Sequence, residues 1–504
     1  MGKIKSAILT AIILSAIVVL AFFATVSYTV PGSEGVKKYN SFLTSINLGG
    51  DLTGEAVSVL YPKGVISDAD YQFGIPDDKE SDKYDEYRDK YKQFGSVWVE
   101  KEILGENDAN KDAILSDVRK DADTLSKRLA EKGFSSYSVA VRDDFTIAVS
   151  LPTNFTYAEY YDSEYTSSRS DKETQISNTV RYLAYGGELS LRNSEVGVGH
   201  DNILTPITAD VNSYFKSFKK LVRAGNITVK VDLSEEGVKL FKDISERVSA
   251  AQNDKAVGFF IGDSQLLSLS LSETVEQETF LITVPTEETA EDYAIVLDSC
   301  IKGKTLVLDY GTANDVDIIY TSAALGGHAA VFLFCAMLAL VIAAIVYSAV
   351  RYKLLGFVNS ISILIYSLTI IVTLLLIGIQ LTVSGAIFAL AGLALLCGSN
   401  FVMFEKVRSE TQKGKTIQSS VKSGCKALLK GILELHVVLI AVSLIVALVC
   451  VGEVAACGLI FFIGSVASYV LYWFTRFMWF VLSSAVEDKF AFCGFKRKED
   501  EDDD

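Results

Sequence analysis

The chain has 504 residues, half of them hydrophobic, with 47 Lys and Arg against 62 Asp and Glu, a formal net charge of −15. That balance argues against a nucleic-acid binder, because an acidic surface repels phosphate backbones. Seven cysteines and three histidines are too scattered for a metal site: His200, His328 and His436 lie far apart, and neither C-x-x-C nor H-E-x-x-H occurs.

The first element is an apolar run at 6–29. A helix crosses a bilayer with about 20 apolar residues, since each rises ~1.5 Å across a ~30 Å core. This run is longer than the apolar region of a cleaved signal and no A-x-A-like site follows it, so a retained anchor is expected.

A polar stretch, 31–322, follows and carries nearly all of the negative charge. Within it, 62–111 is rich in Lys, Asp, Tyr and Gly and reads as a surface insertion with little core of its own. Residues 112–133 set Ile114, Val118, Leu125 and Leu129 on one helical face and stop at Gly133. Two β-rich runs in 137–151 meet at Asp143-Asp144, a hairpin by pattern. Helix then hairpin is half of a ferredoxin-like split βαβ unit. A second set comprises a strand at 227–233, a helix at 234–250 opened by Ser234, a buried strand ending at Gly262-Asp263, and a helix at 286–301 with acids at its N-terminal end. Two small α+β lobes are therefore expected. Only Cys300 of the seven cysteines falls here, so no internal disulfide supports this region.

Five further apolar runs, 328–350, 355–378, 382–404, 431–451 and 456–482, crowd the final third; the second of these is diluted by Asn359, Tyr366, Thr369 and several serines. Basic residues mark cytoplasmic loops. Lys3 and Lys5, then Arg351 and Lys353, then seven Lys and Arg between 406 and 430, then Lys489, Lys496, Arg497 and Lys498 all fall on one side if six helices cross in turn. The remaining loops, 378–381 and 452–455, hold no Lys or Arg. Both termini are thus expected inside and 31–322 outside. Nucleotide chemistry is not expected, since Gly414-Lys415-Thr416 lacks the earlier glycine of a phosphate loop (Ser409 stands there) and precedes no strand–helix unit. No catalytic constellation can be singled out, so the chain is not expected to be an enzyme, and no cofactor is implied.

L-G-G-D-L-T-G-E at 48–55, K-R-L-A-E-K-G-F at 127–134 and G-L-A-L-L-C-G-S-N-F-V-M-F-E-K-V-R-S-E at 392–410, in that order, resemble motifs of the SecD family of protein-export accessory subunits. L-G-G-D-L-T-G-E at 48–55 is similar to that family's leucine–glycine–leucine–aspartate–leucine–x–glycine–glycine, agreeing at Gly49, Asp51, Leu52 and Gly54 and departing at Gly50 and Glu55. K-R-L-A-E-K-G-F with F-T-I-A-V-S-L-P, V-K-V-D-L-S-E-E-G-V-K-L-F, and P-T-E-E-T-A-E-D-Y-A-I-V-L look like its exterior signatures. In the membrane, 392–410 matches its fourth-helix signature at Gly392, Asn400, Phe404, Glu405, Arg408 and Glu410, and I-G-S-V-A-S its sixth.

The resemblance implies an α+β exterior domain, a ferredoxin-like base lobe plus an inserted α+β head lobe, on a six-helix transmembrane bundle. The parts would be a first helix at 1–30, a base lobe at 31–184 with its insertion at 62–111, a head lobe at 185–285, and a return to the base at 286–322. A five-helix bundle at 323–486 with a cytoplasmic loop at 405–430 would follow, then an acidic cytoplasmic tail at 487–504. It implies export of unfolded polypeptides across the cytoplasmic membrane, coupled to the proton gradient, beside a SecYEG-type channel, with a SecF-like partner and SecA-driven preprotein substrates. The family places an aspartate two residues before Asn400, where this chain has Gly398. If proton coupling occurs, Glu434 with His436 is the titratable pair left in these helices, and Asn400 is the other intramembrane polar candidate. Tyr185-Gly186-Gly187 and Val284-Pro285 are candidate hinges, with Gly186 and Gly187 the sharper pair. Two rivals stand beside this reading: a non-conducting scaffold paralogue, favoured by Gly398, and a small-molecule or lipid exporter of the wider RND superfamily, which would need a second set of helices and lobes.

Overall fold

The computed structural model describes residues 15–16, 18–29, 38–76, 82–153, 176–193, 211–223, 225–249, 256–270, 275–310, 317–483, 486 and 488–494. Most of the first apolar run before Ser15 and the acidic residues at 499–504 lie outside them. The chain divides into two compact units: one comprises Met1–Glu55, Pro152–Thr166 and Ser322–Asp504, the other Ala56–Leu151 and Ser167–Thr321.

In chain order the strands are β1 (Glu55–Leu60), β2 (Val65–Ser67), β3 (Tyr91–Phe94), β4 (Val97–Glu100), β5 (Ser138–Val141), β6 (Ile147–Pro152), β7 (Leu189–Asn193), β8 (Phe215–Arg223), β9 (Asn226–Leu233), β10 (Ala256–Ile261), β11 (Ser264–Ser270), β12 (Thr279–Thr283) and β13 (Asp317–Thr321). The principal helices are α1 (Lys111–Glu131), α2 (Glu235–Ser249), α3 (Glu287–Ile301), α4 (Ala329–Ile377), α5 (Val383–Gln412), α6 (Ile417–Val449) and α7 (Gly452–Ser483).

Four sheets organise the mixed unit, in the orders β13-β1-β6-β5, β2-β4-β3, β8-β9-β12 and β11-β10-β7. Helix α1 forms where the periodicity placed it, burying Val118, Ala122, Leu125 and Leu129. The β5–β6 hairpin turns at Asp143-Asp144, and the Asp144 carboxylate accepts from the Thr146 hydroxyl at 2.6 Å. Ser234 opens α2 by accepting from Gly237 N at 3.0 Å, and Thr286 opens α3 by accepting from Thr289 N at 3.1 Å. The insertion at 62–111 differs from the expectation. It has a three-stranded sheet and a small core of Val65, Val97, Val99 and Leu104 with Phe145. Its tyrosines are structural: Tyr71 stacks on Trp98 with ring centroids 3.6 Å apart, and the Trp98 indole donates to Asp68 at 2.8 Å.

Two charged residues of α1 face inward with its apolar stripe, and sequence reasoning passed over both. Asp121 accepts from Val307 N at 2.6 Å, Leu308 N at 3.0 Å and the Tyr310 hydroxyl at 3.0 Å. Arg128 donates to Ser299 Oγ at 2.9 Å, Leu183 O at 2.7 Å and Tyr185 O at 2.9 Å. One helix thereby holds the 304–310 segment and the approach to Gly186.

The helical unit comes from apolar runs. α4 through α7 are each long and apolar enough to cross a membrane, with mean hydropathy between 2.1 and 3.0 in their best windows. α4 is interrupted at Lys353, whose φ of 52° and ψ of −121° are non-helical. The chain doubles back there: a Cβ on Gly356 would sit 1.8 Å from Ser348 O, and Asn359 donates to Ser348 at 2.8 Å. Two antiparallel segments, 329–352 and 354–377, result. The stretch 405–430 is not a loop. α5 runs to Gln412 and α6 begins at Ile417, because Glu410 accepts from both Lys413 and Lys415 and Gly414 takes φ +87° to close the turn. Many apolar side chains stand bare on these helices, among them Phe332, Leu376 and Leu448, as a lipid-facing surface requires.

Replacing Arg128 with Met removes the donors to Ser299 Oγ, Leu183 O and Tyr185 O, the first two of them buried. Thermal unfolding of the full chain, followed through Trp98, should show a loss of about 3 kcal/mol, a drop of roughly 6–12 °C.

Candidate functional site

The SecD-like motif at 48–55 builds a joint between chain segments far apart in sequence. Leu48 lies in a parallel bridge with Leu381; Gly49 N donates to Leu381 O at 2.8 Å, and Leu381 N donates to Asn47 O at 2.8 Å. The short helix Gly50–Thr53 follows, and Asp51 Oδ2 accepts from Val383 N at 2.7 Å, capping the first turn of α5. Ile46, Leu48 and Leu52 are buried in one cluster with Ala329, Ala330, Ile379, Leu381 and Ala386. Burial pushes the Asp51 carboxyl up and the neighbouring Glu453 charge adds to this, while the Val383 amide and then the Asp51 and Leu52 amides oppose it; the net shift is upward. Gly54 closes the turn at φ +101°.

The two departures from the motif occupy the same space. A Cβ on Gly50 would lie 2.4 Å from Glu55 Cγ, so the Glu55 side chain fills the volume that a larger residue at position 50 would need. The swap is compensated inside the joint.

Among the helices, several polar residues pair with one another. Asn400 donates to Asn359 Oδ1 at 2.6 Å, and Asn359 donates to Ser348. Ser362 and Thr475 hydroxyls are 2.7 Å apart. Asn359, one of the residues that diluted the third apolar run, is the centre of this network. Gly392 and Gly464 face each other across α5 and α7; a Cβ on either would strike the Tyr366 hydroxyl, at 2.2 Å and 2.6 Å, and that hydroxyl donates to Ala389 O at 2.8 Å. Tyr352 donates to Glu405 at 3.0 Å, with Arg351 3.7 Å from the same carboxylate, and Arg408 reaches Gly494 O at 3.5 Å. These contacts make the C-terminal end of α5 an elbow.

The expected pair Glu434 and His436 is not brought together. Two positions apart on α6, they differ by about 200° around the helix. Glu434 is exposed, 3.7 Å from the similarly exposed Lys430. His436 is fully buried; Nδ1 meets Ile432 O at 2.8 Å, so that nitrogen carries the proton, and Nε2 accepts from Ser468 at 3.2 Å. Gly398 is exposed, and a Cβ there meets no atom within 4 Å among the described residues. A side chain at that position would point away from the described helices.

In the mixed unit, Gly186 and Gly187 sit in a crowded crossing. A Cβ on Gly186 would lie 2.4 Å from Leu308 O, and Gly187, at φ +108°, packs on Gly262 and donates to Leu306 O at 3.2 Å. Close approach requires glycine at both. Beside them opens a cleft of about 580 Å³ lined by Tyr61, Tyr185, Ile261 and Tyr310 together with Lys63 and Asp263.

No family model matches the chain. It is 28% identical over 134 residues to the protein translocase subunit SecD of Aquifex aeolicus, covering 27% of this chain and 26% of that protein. To the SecD of Acidaminococcus fermentans it is 25% identical over 222 residues, 43% of this chain and 49% of that one. The matches thus span from about a quarter to half of the length of these relatives. A SecDF crystal structure, described as a super-membrane-facing form, superposes on 96% of this chain and 59% of its own with a TM-score of 0.54 at 16% identity. The resemblance to the SecD family read from the motifs is therefore carried by both sequence and fold.

Gly50→Leu alone should overpack the joint and cost roughly 1–3 kcal/mol. Adding Glu55→Gly should restore most of that loss; thermal melts of the two variants beside the parent chain measure the coupling.

Proposed function

We propose that this chain is a SecD-like accessory subunit of the protein-export machinery of the cytoplasmic membrane, acting on unfolded polypeptides as they emerge from a SecYEG-type channel driven by SecA. The observation that carries this reading is a SecDF-type fold over nearly the whole chain together with sequence relatives named SecD. The break at Lys353 supports counting the C-terminal helices as five crossings, six with the first run, both termini inside. The strand order β13-β1-β6-β5, with α1 and α3 in the crossings, supports a ferredoxin-like base with the intervening strands as head. Gly186 and Gly187 would be the hinge of that head, and the aromatic-lined cleft beside them a place where a segment of substrate is held.

A SecF-like subunit would complete the bundle. The outward-facing, open position of Gly398 favours a division of labour in which the proton-carrying acid belongs to that partner. Glu434, paired with Lys430 at the helix surface, and His436, held between Ile432 and Ser468, then have structural roles. A non-conducting scaffold shares this feature and differs in one respect: export assisted by a scaffold would not respond to the proton gradient at all.

Protease added outside membranes with the envelope opened should cut within 31–322 and spare the cytoplasmic ends. In vesicles loaded with an export substrate, Glu434→Gln should leave both the rate and its dependence on an imposed proton gradient unchanged. A rate that loses its gradient dependence in that variant would return the proton path to this chain.

A further inference from the structure

We infer that Asp51 is a proton-responsive clip on the exterior end of α5, shut when its free oxygen carries a proton and loosened when the carboxylate is ionised. Its two oxygens have different tasks. Oδ2 accepts from Val383 N at 2.7 Å, whereas Oδ1 is buried with no hydrogen-bond partner among the described residues. An ionised oxygen without a donor is costly away from water, and a proton on Oδ1 removes that cost while Oδ2 keeps its bond.

The surroundings reinforce this bias. Glu453, in the first turn of α7, bonds the Ser384 hydroxyl one residue beyond Val383 and lies close enough to Asp51 for like-charge repulsion. Cys457 of α7 faces the same two carboxylates. Glu55 lies against Gly50 on the clip's own segment, His328 stands exposed at the start of α4, and the 378–384 segment carries no ionisable group. No Lys or Arg occurs in 46–55, 378–384 or 452–457 to offset the acids.

The direction of the linkage follows. The clipped carboxyl holds its proton more tightly than a solvated one, so the clip is favoured below the ordinary carboxylate range and weakens as pH rises through the raised value. Four residues after Asp51 the chain enters β1. On the proposed export role, and only there, a proton-rich exterior would thus keep the clip on α5 shut.

Hydrogen exchange on the full chain in lipid nanodiscs tests this directly, read at 47–53 and 378–385 from about pH 3 to 8.5 and corrected for intrinsic rates. In the parent chain, protection should fall as pH rises, by about tenfold for each unit by which the buried carboxyl exceeds the ordinary value. Asp51→Asn keeps an acceptor for Val383 and imitates the protonated acid, so its protection should stay high and flat; Glu453→Gln should shrink the parent's pH-dependent fall. A flat profile in the parent chain, or an Asp51→Asn profile that follows it, overturns the clip. Because exchange needs no export, a chain that clips but fails in the vesicle assay refutes the export role alone, and the reverse result refutes the clip alone.

Discussion

A bilayer offers no water to a polar side chain, so such a group in the helices is stabilised by a partner within the protein. This constraint assigns the roles seen in the bundle. Asn400, Asn359 and Ser348 bond in series, Ser362 meets Thr475, and the Tyr366 hydroxyl caps a carbonyl between two glycines. Each contact fixes which faces of the helices meet, because an unpaired alternative leaves amides or hydroxyls in hydrocarbon. The same constraint explains His436, whose two nitrogens are occupied on its own helix and on α7.

The joint at 46–54 follows different physics. It lies where helices end, and the carbonyls and amides left over at the end of α4 and the start of α5 are satisfied by a passing segment of chain rather than by water. Leucines at 48 and 52 bury themselves while Asp51 supplies the cap, so the spacing of the motif reflects one turn of helix seated on a loop. Gly50 and Glu55 show that the volume of this seat is held constant while its residues change.

Much of the architecture was legible because periodicity and hydropathy are local properties. α1, the β5–β6 hairpin, α2 and α3 all formed where the pattern put them, their ends marked by Gly133, Ser234 and Thr286. The small core of the insertion was hidden because its tyrosines and Trp98 read as surface composition until stacked. Asp121 and Arg128 were discoverable, as each falls three or four residues from an apolar neighbour on the same stripe of α1, but their partners lie up to 189 positions away. The separation of Glu434 from His436 could be computed from helical geometry alone, whereas the neighbours of Gly398 required the packed bundle. The end of the loop expected at 405–430 was masked by charge: Glu410 between two lysines reads as solvated and in fact closes a four-residue turn.

The reversal at Lys353 bears on how the bundle is made. Ser348 and Asn359 are only 11 positions apart, so their bond needs no other helix and can form as soon as the hairpin leaves the ribosome. Asn359 would then enter the lipid with one partner already in hand, which lowers the barrier to inserting a run that its own polarity makes marginal. Asn400, arriving later on α5, finds a preformed acceptor in place, and the order of synthesis becomes the order of assembly.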